Sequence, residues 1–287
     1  MILSVQQALA RTRRLLASAG IEEASLEGEL LLARSLATDR AGLYCSLLDP
    51  YPAGAGEVLE ALLSRRLRRE PLAYLLGERE FYGLRFLVGP GVFVPRPETE
   101  LLVEQAILLA QGHCLRGGAR IADVGTGSGA IAISIAVHLP GVRVFATDIS
   151  PDALRSAEAN AQAQGVAERV RLLQGDLLAP LPEPVDLVVA NLPYVKSGAL
   201  ASLAPEVGQY EPLAALDGGL DGLDLMRRLL GQAPRYLRPG AAMLLELDPD
   251  QMDAASSASL SEFPGARLER LTDLAGLERC LAVRCGI

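Results

Sequence analysis

The amino-acid sequence predicts an α/β protein with three parts: a helical N-terminal domain over residues 1–78, a connecting β-hairpin over 79–96, and a mostly parallel sheet covered by helices over 97–287. Two observations carry this. Only helical periodicity is visible before Pro71, and from Pro97 onward strand-like and helix-like segments alternate, which argues a parallel sheet with helices on both faces.

The elements follow in order. Ser4 with Gln7 makes a capping-box start, apolar residues recur at helical spacing, and Gly20 stops the first helix. "LEGELLLARSLA" and "GEVLEALLSRRLRRE" repeat the pattern until Pro71. The period then changes: "EFYGLRFLVGPGVFVP" places aromatic and β-branched residues around Gly83, which suggests a hairpin at the domain junction. "ARIADVG", "VRVFATD", "VRLLQGD", "VDLVVAN" and "AAMLLELD" read as strands separated by helices. "RLERLTD" and "RCLAVRC" end the chain as two further strands with little between them, so at least one is expected to run antiparallel.

Composition narrows the function. Half of the 287 residues are hydrophobic, no apolar run is long enough to span a bilayer, and the N-terminus lacks the continuous apolar core of a secretory signal. A cytoplasmic protein is expected, without membrane contact and as a monomer. Cys45, Cys114, Cys280 and Cys285 have no metal-like spacing and read as reduced thiols. His113 and His138 stand alone and read as helix-end residues, so neither a metal site nor a histidine base is expected. The net charge of −8 argues against a general field for nucleic-acid backbones, and no direct DNA binding is expected. With a single lysine, Lys196, the basic residues are almost all arginine. The cluster Arg65, Arg66, Arg68 and Arg69 is the local exception, either a solvated helix face or a docking patch for an acidic partner or RNA.

"IADVGTGSGAIAISIAV" is a strand, a glycine turn and a helix, the start of a Rossmann-like nucleotide site. Gly125, Gly127 and Gly129, with Thr126 and Ser128 between them, let the backbone approach a ligand closely. The spacing also fits a dinucleotide fingerprint, and Asp148 at the next strand end suits a ribose diol in either case. Asp123 discriminates. A carboxylate two residues before the first glycine repels a pyrophosphate but attracts an ammonium, which S-adenosylmethionine carries together with a sulfonium. The plainer alternative is that Asp123 caps the turn. Asp176 and Leu177, at the third strand end, are placed against the adenine edge and face.

The fourth strand end, Asn191-Leu192-Pro193-Tyr194, then faces the methyl group. A planar conjugated NH2 is a poor nucleophile because its lone pair is delocalised. The Asn191 side-chain oxygen can accept one of its N–H bonds and the Leu192 carbonyl the other, with Pro193 holding that carbonyl by restricting Leu192 to extended backbone. Two acceptors orient the nitrogen and favour positive charge developing on it, while Tyr194 stacks on the planar group. Adenine N6, cytosine N4 and a glutamine amide all fit this chemistry.

"GEREFYGLRFLVGPGVFVPRPETELLVE", "DVGTGSGAIAISIA", "NLPYV" and "PEVGQYEPLAALDGGLDGLDLMRRLL" together resemble the release-factor glutamine N5-methyltransferases, the HemK/PrmC family. The resemblance runs from about Pro71 to the C-terminus and implies a class I S-adenosylmethionine-dependent methyltransferase fold. It implies methylation of the Gly-Gly-Gln glutamine of class I peptide chain release factors. Residues Gly125 to Gly129 and Asp148 would bind cofactor, with Leu177 against adenine. Asn191 to Tyr194 would hold the glutamine, Phe93 would help wall its pocket, and the helical domain would grip the release factor. Leu192 stands at the second residue of what is usually Asn-Pro-Pro-Tyr in the family, Leu177 occupies a position that can be aromatic, and Asp248 stands where glycine is more usual. Asn-Leu-Pro-Tyr also occurs in enzymes that methylate adenine N6 of ribosomal RNA, which is the alternative reading. An NAD-dependent oxidoreductase or a non-catalytic nucleotide-binding module is the reading from another class.

Overall fold

Central strands buried on both faces determine the larger layer arrangement, seen in a computed structural model that describes residues 3–111 and 118–286. His113 and Cys114 lie outside the described residues. Seven strands form one sheet: β3 (Arg120–Val124), β4 (Arg143–Asp148), β5 (Val170–Gln174), β6 (Val185–Ala190), β7 (Leu237–Glu246), β8 (Arg267–Thr272) and β9 (Glu278–Arg284). Their order is β5-β4-β3-β6-β7-β9-β8, parallel except for β9, which is antiparallel to both of its neighbours. The expectation of an antiparallel strand near the C-terminus holds for β9.

Ile121, Leu187, Val189 and Leu244 point to one face, under α6 (Glu100–Gln111) and α7 (Ala130–His138). Ala122, Val124, Val188, Ala190 and Leu245 point to the other, under α10 (Asp224–Gln232) and α11 (Met252–Glu262). Burying apolar strands on both faces stabilises the sheet, and it explains why these strands read as continuous apolar runs. Helix α8 (Pro151–Ala163) links β4 to β5. The chain order reverses between β3 and β6, so the crevice at their C-terminal ends is the place where such sheets take ligands.

The hairpin of β1 (Glu78–Phe81) and β2 (Leu84–Leu87) turns on Tyr82 and Gly83, both with positive φ, as a two-residue hairpin turn requires. Asn160 of α8, fully buried, exchanges hydrogen bonds with the Leu87 backbone at 2.7 and 3.0 Å and donates a further one to the Ser128 carbonyl. The hairpin belongs to the sheet unit, Glu78–Ala204 with Glu211–Ile287.

The helical unit comprises Met1–Gly77 and, from far along the chain, Pro205–Tyr210, which includes the short helix α9 (Pro205–Gly208). Helix α1 (Val5–Ser18) starts at the Ser4–Gln7 capping box, and Gly20 follows it in the left-handed region. It packs with α2 (Ala24–Ser35), α3 (Arg40–Cys45), α4 (Ala53–Arg66) and α5 (Leu72–Leu76) around Leu16, Leu31, Leu32 and Leu63. The arginine cluster is mostly neutralised. Arg66 is buried and grips Glu27 through two nitrogens, at 2.6 and 3.0 Å, and Glu206 at 3.0 Å. Arg69 also pairs with Glu206, and Arg65 with Glu70. Among the described residues no group of His, Cys, Asp and Glu could hold a metal, and no helix is long and apolar enough to cross a membrane.

Candidate active site at the strand C-termini

Because β3, β4, β5, β6 and β7 are mutually parallel, Asp123, Asp148, Asp176, Asn191 and Glu246 all come to one edge of the sheet. After β3 the chain turns through Gly125, Gly127 and Gly129, all with positive φ. A Cβ built on Gly127 would meet nothing within 4 Å, so the backbone there forms an open cradle. Asp148 shapes it from the neighbouring strand: its oxygens accept from Gly127 N at 2.9 Å and Ser150 N at 2.8 Å. Ile149, the next residue, is exposed. An apolar side chain beside a nucleotide cradle suits a base face, and sequence reasoning missed it.

Asp123 is wholly buried. Its Oδ2 accepts from Thr126 Oγ1 at 2.6 Å and Ala132 N at 3.1 Å, so it does cap the turn. Its Oδ1 has no hydrogen-bond partner among the described residues, and burial pushes the carboxyl up to about 7. The full negative charge expected from the sequence is therefore only partly present at neutral pH. Asp176 forms an ion pair with Arg228 of α10 at 2.7 Å and accepts a weaker bond from Gln232. Leu177 beside it is buried and has positive φ, a conformation that non-glycine residues seldom adopt. Gly127, Thr126, Ser128 and these acidic groups form a lobe that fits a nucleoside with a cationic tail. An orphaned buried oxygen, an open backbone cradle and a carboxylate at the next strand end are the observations that support that fit.

The loop after β6 is held by distant segments. Asn191 Nδ2 donates to Thr99 Oγ1 at 3.0 Å, which leaves Asn191 Oδ1 as the acceptor facing away. Neither Oδ1 nor the Leu192 carbonyl accepts a hydrogen bond among the described residues. The Leu192 side chain is buried and packs close to Gly125, joining the two loops. The Tyr194 carbonyl accepts from Gln251 Nε2 at 2.8 Å, and burial together with the charge of Glu246 raises the Tyr194 phenol. Asp248, for which the sequence offers no role, caps the short helix Pro249–Gln251 in a capping box with Gln251. It thereby fixes the side chain that clamps Tyr194.

The "LDGGLDG" segment backs the same loop. Val195 N donates to Leu216 O at 2.9 Å and Gly218 N to Val195 O at 2.8 Å. A Cβ on Gly222 would lie 2.1 Å from both the Tyr194 carbonyl and Gln251 Nε2, so only glycine permits this approach. The "PRPE" and "YEPL" segments also meet: Glu211, buried, pairs with Arg96 and accepts from Val94 N at 3.2 Å. Arg96 lies 4.6 Å over the Phe93 ring. The strap from Phe93 then reaches Asn191 through Thr99.

Known proteins are similar to both parts of the chain. Residues 7–77 match the PrmC N-terminal domain family, and residues 84–206 match the methyltransferase small domain family. A release factor glutamine methyltransferase of Moorella thermoacetica is 45% identical over 280 residues, covering 97% of each chain. One of Geobacter sulfurreducens is 43% identical over 253 residues, 88% of this chain and 87% of that one. Among solved structures, a ribosomal protein L11 methylase from Lactobacillus delbrueckii subsp. bulgaricus is similar with a TM-score of 0.50 and 25% identity, over 70% of this chain and 84% of that one.

Proposed function

The chain belongs to the release factor glutamine methyltransferases, and from that membership we infer which of its groups do the work. It is an enzyme that methylates a glutamine side-chain amide of a peptide chain release factor with S-adenosylmethionine as cofactor. The finer reading is that the target is N5 of the Gly-Gly-Gln glutamine in class I release factors. The enzyme acts in the cytoplasm as a monomer, and residues 1–78 dock the substrate protein.

Gly125 to Gly129, Asp148 and Leu177 hold the cofactor, which supplies a methyl carbon activated by a sulfonium. Asp123 acts on the cofactor mainly by fixing the loop. Asn191 Oδ1 and the Leu192 carbonyl accept the two N–H bonds of the amide, which aligns its nitrogen and stabilises the positive charge that develops there. Pro193 keeps Leu192 extended, and Tyr194 and Phe93 flank the planar group. The observation that carries the reading is the tie from Asn191 Nδ2 to Thr99, which leaves Asn191 Oδ1 as a ready acceptor.

The test is methyl transfer from labelled cofactor to a purified class I release factor, beside a variant with the tip glutamine replaced and beside ribosomal RNA. Label on the intact release factor alone is expected. Label on RNA and not on protein overturns the reading in favour of adenine N6.

A further inference from the structure

Glu246 is an acid at this sheet edge to which the reading above gives no task. It is buried, and neither of its oxygens has a hydrogen-bond partner of good geometry among the described residues. The nearby cation Arg279 is engaged by Asp273 at 3.4 Å and Asp248 at 4.0 Å, and among the described residues no ion pair reaches Glu246. A buried carboxyl kept without a salt bridge is costly, so its surroundings should explain it.

Register places it beside Asn191. Ala190 of β6 pairs with Leu245 of β7, so Asn191 and Glu246 are the next residues on adjacent parallel strands. Val189 and Leu244, two residues before each, face the α6 side, and the alternation turns Asn191 and Glu246 to that side too. Thr99, just ahead of α6, is buried there. Burial, helped by the charge of Glu98, pushes the Glu246 carboxyl up to about 7, while Thr99 first, then Arg279 and the Asn191 side chain, act against that rise.

A hydroxyl has one proton to give, and that decides which way Asn191 points. Thr99 Oγ1 accepts from Asn191 Nδ2. If the hydroxyl had no other acceptor, Asn191 could flip and take the Thr99 proton on its own oxygen, presenting an NH2 to the substrate amide. Two NH2 groups facing each other cannot bond. An acid behind Thr99 gives its proton a destination and leaves its lone pair for Asn191.

We propose that Glu246 is a positioning residue that acts through the Thr99 hydroxyl to fix the Asn191 carboxamide with its oxygen toward the substrate glutamine. The inference rests on the glutamine-methylation reading and deepens it. Its part is to set the orientation of the group that meets the amide.

Four variants test it in the full-length enzyme with a class I release factor: Thr99→Val, Thr99→Ser, Glu246→Gln and Glu246→Leu. Glu246→Leu removes the acceptor without leaving a polar group buried, and keeps the test open if Glu246→Gln folds poorly. Turnover at saturating substrates should fall about 10- to 100-fold in Thr99→Val and in the Glu246 variants, as expected when a reacting group is misoriented. The cofactor dissociation constant and the KM for release factor should stay within about threefold, and Thr99→Ser should recover most of what Thr99→Val loses. Because both residues act on one group, a double Thr99→Val, Glu246→Leu variant should be no slower than the worse single variant. A substrate-free readout accompanies this: the Asn191 side-chain NH2 signals in 15N-resolved NMR should shift in Thr99→Val and in Glu246→Leu, and return in Thr99→Ser. Losses that multiply in the double variant, or that appear in KM with turnover intact, overturn the proposal. So does an Asn191 signal indifferent to Glu246. A wild-type enzyme that labels no release factor defeats the functional reading instead, whatever the NMR shows.

Discussion

The loop after β3 and the loop after β6 sit side by side on one sheet edge, but they are built by different means. The first is shaped by groups close along the chain: Asp123 reaches Thr126 three residues on and Ala132 nine residues on, Thr147 and Asp148 come from the next strand, and Asn160 of α8 holds the Ser128 carbonyl. The second is held from afar, by Thr99 at a separation of 92 residues and Gln251 at 57, with the Gly218–Gly222 turn behind it. A loop that must cradle a diffusible nucleotide can be local and open. A loop that must aim two acceptors at one nitrogen needs walls on several sides, because a small error in aim costs rate.

The sharpest way to separate the two loops is Asn191→Ala. It removes an acceptor that no neighbour replaces, so turnover should fall roughly 100- to 1,000-fold, by analogy with loss of one preorganised polar group. Cofactor affinity measured by calorimetry should change far less. Asp148→Ala reverses the pattern: loss of hydrogen bonds to a charged group should weaken cofactor binding about 10- to 100-fold. Turnover at saturating cofactor should survive largely intact. If both variants lose binding and turnover alike, the two loops act as one unit.

Gly222→Ala probes the remote support itself. The added methyl collides with the Tyr194 carbonyl and with Gln251. Turnover should drop about tenfold by displacement of the substrate loop, while the dissociation constant for S-adenosylmethionine stays near the wild-type value. A change in cofactor affinity as large as that in turnover would show that the support serves both loops.

The smallest effect is on stability. Asp123 and Glu246 carry folded-state values of about 7, above the ordinary 3.8 and 4.5, so the folded protein binds these protons more tightly than the unfolded chain. Their stabilising contribution is full below the ordinary values and is lost as pH rises to about 7. The melting temperature of the cofactor-free enzyme should fall by roughly a few degrees between about pH 5 and pH 7.5. Asp123→Asn should flatten part of that slope, and a slope unchanged in this variant would exclude Asp123 as its source. Asp221, lowered to about 2 by the Arg227 ion pair, acts in the opposite sense, but only at far lower pH.

The same contrast explains what the sequence reveals. Gly125 to Gly129 with Asp148 is legible because its elements lie close along the chain, and the period change at Gly83 betrays the hairpin. Asn191 to Tyr194 is legible as chemistry, since each residue type has a job. Thr99, Gly222 and Gln251 are not, because nothing local to them says which loop they support. Asp248 gains its meaning only from Gln251. The arginine cluster reads as free charge until Glu27 and Glu206, distant in sequence, are seen to cover Arg66 and Arg69. The affiliation of Pro205–Tyr210 with the helical unit likewise has no mark in composition or periodicity.

Cys280 lies directly across β9 from Glu246, is 1% exposed, and its thiol is pushed up to about 12 by burial and by the neighbouring acid. A thiol so placed reacts with a labelling reagent only while the strand end is open, whereas Cys45 is exposed and reacts freely. The enzyme therefore carries its own clock and its own time standard. The ratio of the two labelling rates, read peptide by peptide, reports how often the floor of the active site comes apart, and how far a bound release factor holds it shut.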